Sequence, residues 1–181
     1  MTTSDERPIA LIGLMGAGKS AVARALGERL GASVADLDAI LEAECGRPIA
    51  ELFAREGEPA FREREGRILR QVLESGARVL ACGGGVVLDP SNRGLLAGRC
   101  RVVWLEVTAE EAARRIAADS GPRRPLLEGG AAVPKAAKLA TLLESRTSLY
   151  QDVAGLRVAT DGRTPDEVAE AVLSGLHLKT S

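Results

Sequence analysis

The sequence predicts an α/β protein built on a five-stranded parallel sheet with helices on both faces. Three observations carry this reading. Short apolar runs of strand length alternate with longer stretches of helical periodicity along the chain. A loop rich in glycine, Gly13 to Ser20 (GLMGAGKS), directly follows the first apolar run. The 181 residues, 45% of them hydrophobic, suffice for one domain with its own core, and no repeat, low-complexity tract or linker divides them.

Taken in order, Ile9 to Ile12 reads as the first strand. Ser20 to Leu30 reads as a helix with Val22, Leu26 and Leu30 on one face and Gly31 as its stop. Ser33 to Ala35 is a short second strand ending at Asp36. Two or three helices follow between Ala39 and Glu74, broken where glycine and proline interrupt them, near Gly46-Arg47-Pro48 and Gly57-Glu58-Pro59. Arg78 to Ala81 is a third strand running into Gly83-Gly84-Gly85. Arg101 to Leu105 is a fourth, followed by a helix from Glu110 to about Ala117. Asp119 to Pro134 has weak periodicity, three prolines and three glycines, and reads as a long mobile loop. A helix from Lys135 to Tyr150 comes next, then a fifth strand from Leu156 to Ala159. Thr164 opens the last helix, with Pro165 in its first turn.

Composition narrows the function classes. Lys+Arg is 24 against Asp+Glu 25, a balance with no sign of a nucleic-acid or anionic-membrane partner. Only Lys19, Lys135, Lys138 and Lys179 among the cations are lysines, so a lysine inside the glycine loop stands out. Cys45, Cys82 and Cys100 are odd in number and widely spaced, which reads as free thiols in a reducing compartment rather than a disulfide frame or zinc site. The N-terminal MTTSDERP has no apolar core of a signal peptide, and no apolar run approaches membrane-spanning length. A soluble cytoplasmic protein is expected.

GLMGAGKS matches G-x-x-x-x-G-K-[ST] between a strand and a helix, where a phosphate-binding loop belongs. Glycines let the backbone from Gly16 through Ala17, Gly18, Lys19 and Ser20 to Ala21 turn its N–H groups toward phosphate oxygens. The following helix adds the positive end of its dipole. Lys19 supplies a mobile cation for β- and γ-phosphates, and the Ser20 hydroxyl is placed to ligate Mg²⁺. The second strand exits into Asp36-Leu37-Asp38. One carboxylate there suits a magnesium shell, and one can orient an acceptor hydroxyl and take its proton. Asp38 before Ala39-Ile40-Leu41 reads equally well as a helix N-cap.

GLMGAGKS, then DLD, FREREGRIL, CGGG, RRPLL and SRTSLY, in that order, resembles the shikimate kinase family, from about Ile9 to Val172. The resemblance implies a three-layer P-loop kinase of the nucleoside-monophosphate-kinase type, a single domain with a substrate-binding helical region at about 37–75 and a lid at about 116–133. It implies transfer of the ATP γ-phosphate to the 3-hydroxyl of shikimate. By the same resemblance, Asp38 is the hydroxyl-binding aspartate and base, and Asp36 the carboxylate near Mg²⁺. Arg62 and Arg146 bind the acceptor carboxylate, for which a planar bidentate donor is suited. Gly83, Gly84 and Gly85 approach the acceptor ring, and Phe53 and Phe61 wall the pocket. Glu65, three residues after Arg62 on one helical face, is placed to hold that arginine. Arg124 is the lid arginine at the transferring phosphate, with Arg123 adjacent and of the same chemistry. Arg115 lies on the adenine side, and Arg163, in the loop Asp161 to Pro165, packs on the base.

Two departures stand out: Ala21 replaces a Thr or Ser common in the family, and the lid looks slightly longer than in some members. A kinase for another polyol acid such as gluconate, or a non-catalytic nucleotide-binding module, fits the same loop. The family implies a monomer. His177, the one histidine, is expected to be peripheral, so neutral-pH chemistry rests on carboxylates, metal and cations.

Overall fold

The computed structural model describes residues 6–118 and 134–178. Five strands form one sheet: β1 (Ile9–Ile12), β2 (Val34–Asp36), β3 (Val79–Ala81), β4 (Arg101–Glu106) and β5 (Leu156–Ala159). Their spatial order is β2-β3-β1-β4-β5, and every pairing is parallel. β1 lies at the centre with all four residues buried, as its unbroken apolar run requires. Side chains alternate across the strand. Ile9 and Leu11 enter one core, and Ala10 and Ile12 enter the other. β4 repeats the pattern, with Val103 and Leu105 on the first side and Val102 and Trp104 on the second.

Helices cover both faces. On the first, α1 (Lys19–Leu30) packs against α7 (Pro165–Gly175). On the second lie α2 (Leu37–Cys45), α3 (Ile49–Glu74) and α4 (Pro90–Arg99). α5 (Ala109–Ala118) and α6 (Lys135–Val153) pack on each other near β4. Gly31 ends α1 in the left-handed conformation, and Thr164 opens α7 with a reciprocal capping box to Glu167. Both were legible signals.

Two details differ from the sequence reading. Asp36, not Asp38, caps α2: its backbone is extended, and its Oδ1 accepts from the Asp38 and Ala39 N–H groups at 3.1 and 3.2 Å. The helix therefore starts at Leu37 and Asp38 already lies in its first turn. And α4, which the sequence reading lacks, fills the stretch between the glycine loop and β4; Asp89 caps it by accepting from Ser91 N–H at 2.7 Å, with Pro90 in its first turn. Gly57 (φ 79°, ψ 171°) interrupts the helical backbone within Ile49–Glu74, so two helical stretches meet at a kink there, where glycine and proline predicted a break. Of the segment expected to form a lid, about 116–133, the first three residues end α5, and residues 119–133, with Arg123 and Arg124, lie outside the described residues.

Topology places the site. The helix after β1 packs on one face of the sheet, and the helix after β3 on the other. The crevice between adjacent β1 and β3, at their carboxyl ends, is therefore a switch point where ligands bind. Register aligns Leu11, Ala81 and Asp36 in one row, so Gly13, Gly83 and Asp38 all emerge just beyond it.

Candidate active site

A cavity of about 480 Å³ opens at this switch point. At one end stands the glycine loop after β1. Gly16 has φ +83°, and a Cβ there would meet the Ala112 carbonyl oxygen at 2.9 Å, so only glycine fits both the turn and the approach of α5. Among the described residues no side chain caps α1, and the start of a helix with uncapped N–H groups favours an anion. Lys19 donates from Nζ to the Gly13 and Leu14 carbonyls, at 2.9 and 3.0 Å, spanning its own loop. Gly16, Gly18, Lys19, Ser20 and Ala21 line the cavity. Ala17 does not: it is buried in the core below, and its N–H closes a turn onto Leu14 O at 3.1 Å.

Arg115 forms the wall beside this loop. Its guanidinium donates to Gly16 O, to Thr160 Oγ1 at 3.1 Å and to Thr160 O at 2.6 Å, while Nε pairs with Glu111 at 2.7 Å. It thus ties the phosphate end to the loop after β5. Arg163 lies on that loop, exposed and outside the cavity lining, with NH1 at 3.5 Å from Ala159 O.

The other end is acidic and cationic at once. Asp36, Asp38 and Glu65 bring three carboxylates to the cavity, and Arg62 and Arg146 bring two guanidiniums. Glu65 is 2% exposed and pairs with Arg62 NH1 at 2.8 Å. Burial pushes its carboxyl above the usual range; Arg62 pulls it back and Asp38 adds to the rise. Arg62 also pairs with Glu58 at 3.0 Å and lies over the Phe61 ring, 5.0 Å from its centroid. Phe61 packs on Phe53 with centroids 4.5 Å apart, and both line the cavity.

The second glycine loop joins the two ends. A Cβ on Gly83 would lie 2.5 Å from Glu65 Oε1 and 2.9 Å from Asp38 Oδ1. On Gly84 it would meet Met15 N at 3.3 Å, in the phosphate loop. On Gly85 it would come within 2.6 Å of the Arg62 guanidinium carbon. Each glycine thus admits a different neighbour. Arg146, 4% exposed, donates from NH1 to Gly84 O at 3.1 Å.

The sequence reading left out Arg24 and Glu42, which also line the cavity, and Tyr150, which bonds Gly84 O. Arg24 stands four residues after Ser20 on one helical face, and Tyr150 four after Arg146; helical spacing was the available signal. Hard oxygen donors suit magnesium. The Ser20 hydroxyl and the Asp36 carboxylate, both lining the cavity, are donors of that kind, so these residues fit that ion. Among the described residues, no group of three or more His, Cys, Asp or Glu side chains could hold a metal by itself, so a divalent ion here would draw further ligands from phosphate and water. Among the described residues, no helix is long and apolar enough to cross a membrane.

Comparison with known proteins gives a consistent result. The family described as shikimate kinase matches residues 15–177. The shikimate kinase of Streptomyces coelicolor is 47% identical over 171 residues, covering 94% of this chain and 96% of its own. That of Thermobifida fusca is 44% identical over 171 residues, covering 94% and 95%. Among solved structures, shikimate kinase from Acinetobacter baumannii in complex with shikimate superposes with a TM-score of 0.87 at 36% identity, covering 94% of this chain and 93% of that one.

Proposed function

This chain belongs to the shikimate kinase family, and on that premise we propose how its residues share the transfer of a phosphoryl group from ATP to shikimate. The observation that carries the proposal is the cavity that holds the phosphate loop, Asp38, Arg62, Arg146 and the second glycine loop together.

Shikimate is a small polyol carboxylate. Arg62 and Arg146 hold its carboxylate in bidentate fashion. Phe53 and Phe61 cover its apolar edge. Asp38 orients the 3-hydroxyl and accepts its proton as the oxygen attacks the γ-phosphorus; the new P–O bond forms while the bond to ADP breaks. Backbone N–H groups of Gly16 and of Gly18 to Ala21 cradle the phosphates, and Lys19 follows the charge that develops on the transferring group. Ser20 and Asp36 would hold Mg²⁺, which would supply positive charge against the phosphates. Arg115 borders the adenine side, and Arg163 packs on the base. Arg124, in the lid, adds a cation at the transferring phosphate. The helical region 37–75 carries the acceptor contacts and 116–133 the lid, all within one domain. The protein acts as a cytoplasmic monomer. Among the described residues, the one large hydrophobic that is exposed is Val34, on the sheet edge, which offers little apolar surface to a partner.

The test is kinetic. Asp38→Asn and Lys19→Ala, each folded, are expected to lose about 10²-fold or more in kcat. An Asp38→Asn enzyme with wild-type kcat would remove the base role from Asp38.

A further inference from the structure

Tyr150 is the one tyrosine in the chain and the mechanism above gives it no task. It is fully buried, and its ring stacks on Trp104, with centroids 5.6 Å apart and an interplanar angle of 28°. Its hydroxyl donates to Gly84 O at 2.6 Å. Arg146, one turn earlier on α6, donates to the same oxygen from NH1. That carbonyl belongs to the middle residue of the loop between the carboxylates and the phosphate loop. Gly83 abuts Asp38 and Glu65, Gly85 abuts the Arg62 guanidinium, and Gly84 abuts Met15.

We propose that Tyr150 is a positioning residue for the acceptor site, acting through Gly84 on Arg146. The Trp104 stack makes the ring a strut anchored in the core, and the hydroxyl at its tip fixes the Gly84 peptide. A carbonyl oxygen has two lone pairs and here meets two donors. With the Tyr150 bond present, Gly84 O stays satisfied when the Arg146 guanidinium turns to an anion. Without it, Arg146 is the remaining side-chain donor to a half-buried carbonyl, and binding the acceptor carboxylate competes with that duty. The penalty falls on the acceptor, not on the nucleotide. This inference rests on the acceptor site assigned above.

The experiment compares Tyr150→Phe with wild type, since phenylalanine keeps the ring stack and removes only the hydroxyl. The expected result is a rise of about tenfold in KM for shikimate, the size expected for one hydrogen bond of this kind, with KM for ATP within about twofold. A purely structural role would lower Tm or the active fraction and leave both KM values alone. That outcome, or a parallel rise in both KM values, overturns the proposal. A wild type inactive toward shikimate would instead overturn the acceptor assignment. Independently of whether the variant folds, 3-fluorotyrosine incorporated into the wild-type chain reports on Tyr150 alone. Its ¹⁹F resonance is expected to shift on saturation with shikimate; a resonance that does not move contradicts the proposal.

Discussion

At the scale of single residues, the acceptor end is set by how closely Arg62 lies against Gly85. The guanidinium is held by Glu65 at 2.8 Å and by Glu58 at 3.0 Å, in the space that a Cβ on Gly85 would fill. A methyl group at Gly85 would displace it from both carboxylates. Gly85→Ala is therefore expected to raise KM for shikimate at least about tenfold, because a buried Glu65 then loses its partner and the acceptor loses one of its donors. KM for ATP should stay near wild type, since the phosphate loop touches Gly84 rather than Gly85. Steady-state kinetics in both substrates checks this. The residues themselves were largely legible in the sequence. Lys19, Ser20, Asp38, Arg62 and Arg146 all line the cavity. What could not be read was the division of labour along Gly83, Gly84 and Gly85, because three identical residues give no hint of which neighbour each admits. Tyr150 was equally silent, since a buried tyrosine in a helix looks like core until its hydroxyl is placed.

At the scale of elements, β1, β3 and the middle of β4 read well because they are continuous apolar runs, buried on both faces, while the edge strands β2 and β5 are short and partly exposed; glycine or proline marks several of the boundaries. α4 was missed because Pro90 to Arg99 carries two glycines and little apolar periodicity; its signal was the Asp89-Pro90 start, which is local. Tertiary packing of Leu96 and Asn92, both fully buried, holds it against the second core. Its glycines nonetheless weaken it. A Cβ on Gly94 would meet nothing within 4 Å. Gly94→Ala is expected to stabilise the fold by about 0.5–1 kcal/mol through helix propensity, raising Tm without changing kinetics. Thermal unfolding checks it; an unchanged or lowered Tm would mean that α4 is not helical at that position. The N-cap of α2 shows the opposite lesson. Two aspartates two residues apart both suit a cap, and only the backbone decides between them; Asp36 takes it, which turns Asp38 toward Gly83.

At the scale of the molecule, one parallel sheet with a switch point between β1 and β3 brings together loops from distant parts of the chain. The alternation of strands and helices predicted that architecture, but strand order follows from packing and not from any local signal. Arg115 shows how the nucleotide side is joined, linking α5, the phosphate loop and the loop after β5. Its partner Glu111 has its carboxyl held down to about 2 from an ordinary 4.5, by hydrogen bonds from Arg114 and Arg115. A carboxylate depressed in the folded state adds stability above its unfolded pKa and loses it as pH falls through the folded value. Wild type should therefore lose stability between about pH 4.5 and about pH 2, and Glu111→Gln should show a shallower fall over that window. Tm measured against pH decides; identical slopes would remove Glu111 from the acid limb.

The central claim is that this cavity passes the ATP γ-phosphate to shikimate. Coupled ADP release with Mg·ATP, run with shikimate, with gluconate and with no acceptor, tests it most directly. Release with shikimate alone is the predicted result. Release with gluconate alone, or none from folded protein that binds ATP, would contradict the acceptor site built from Asp38, Arg62 and Arg146.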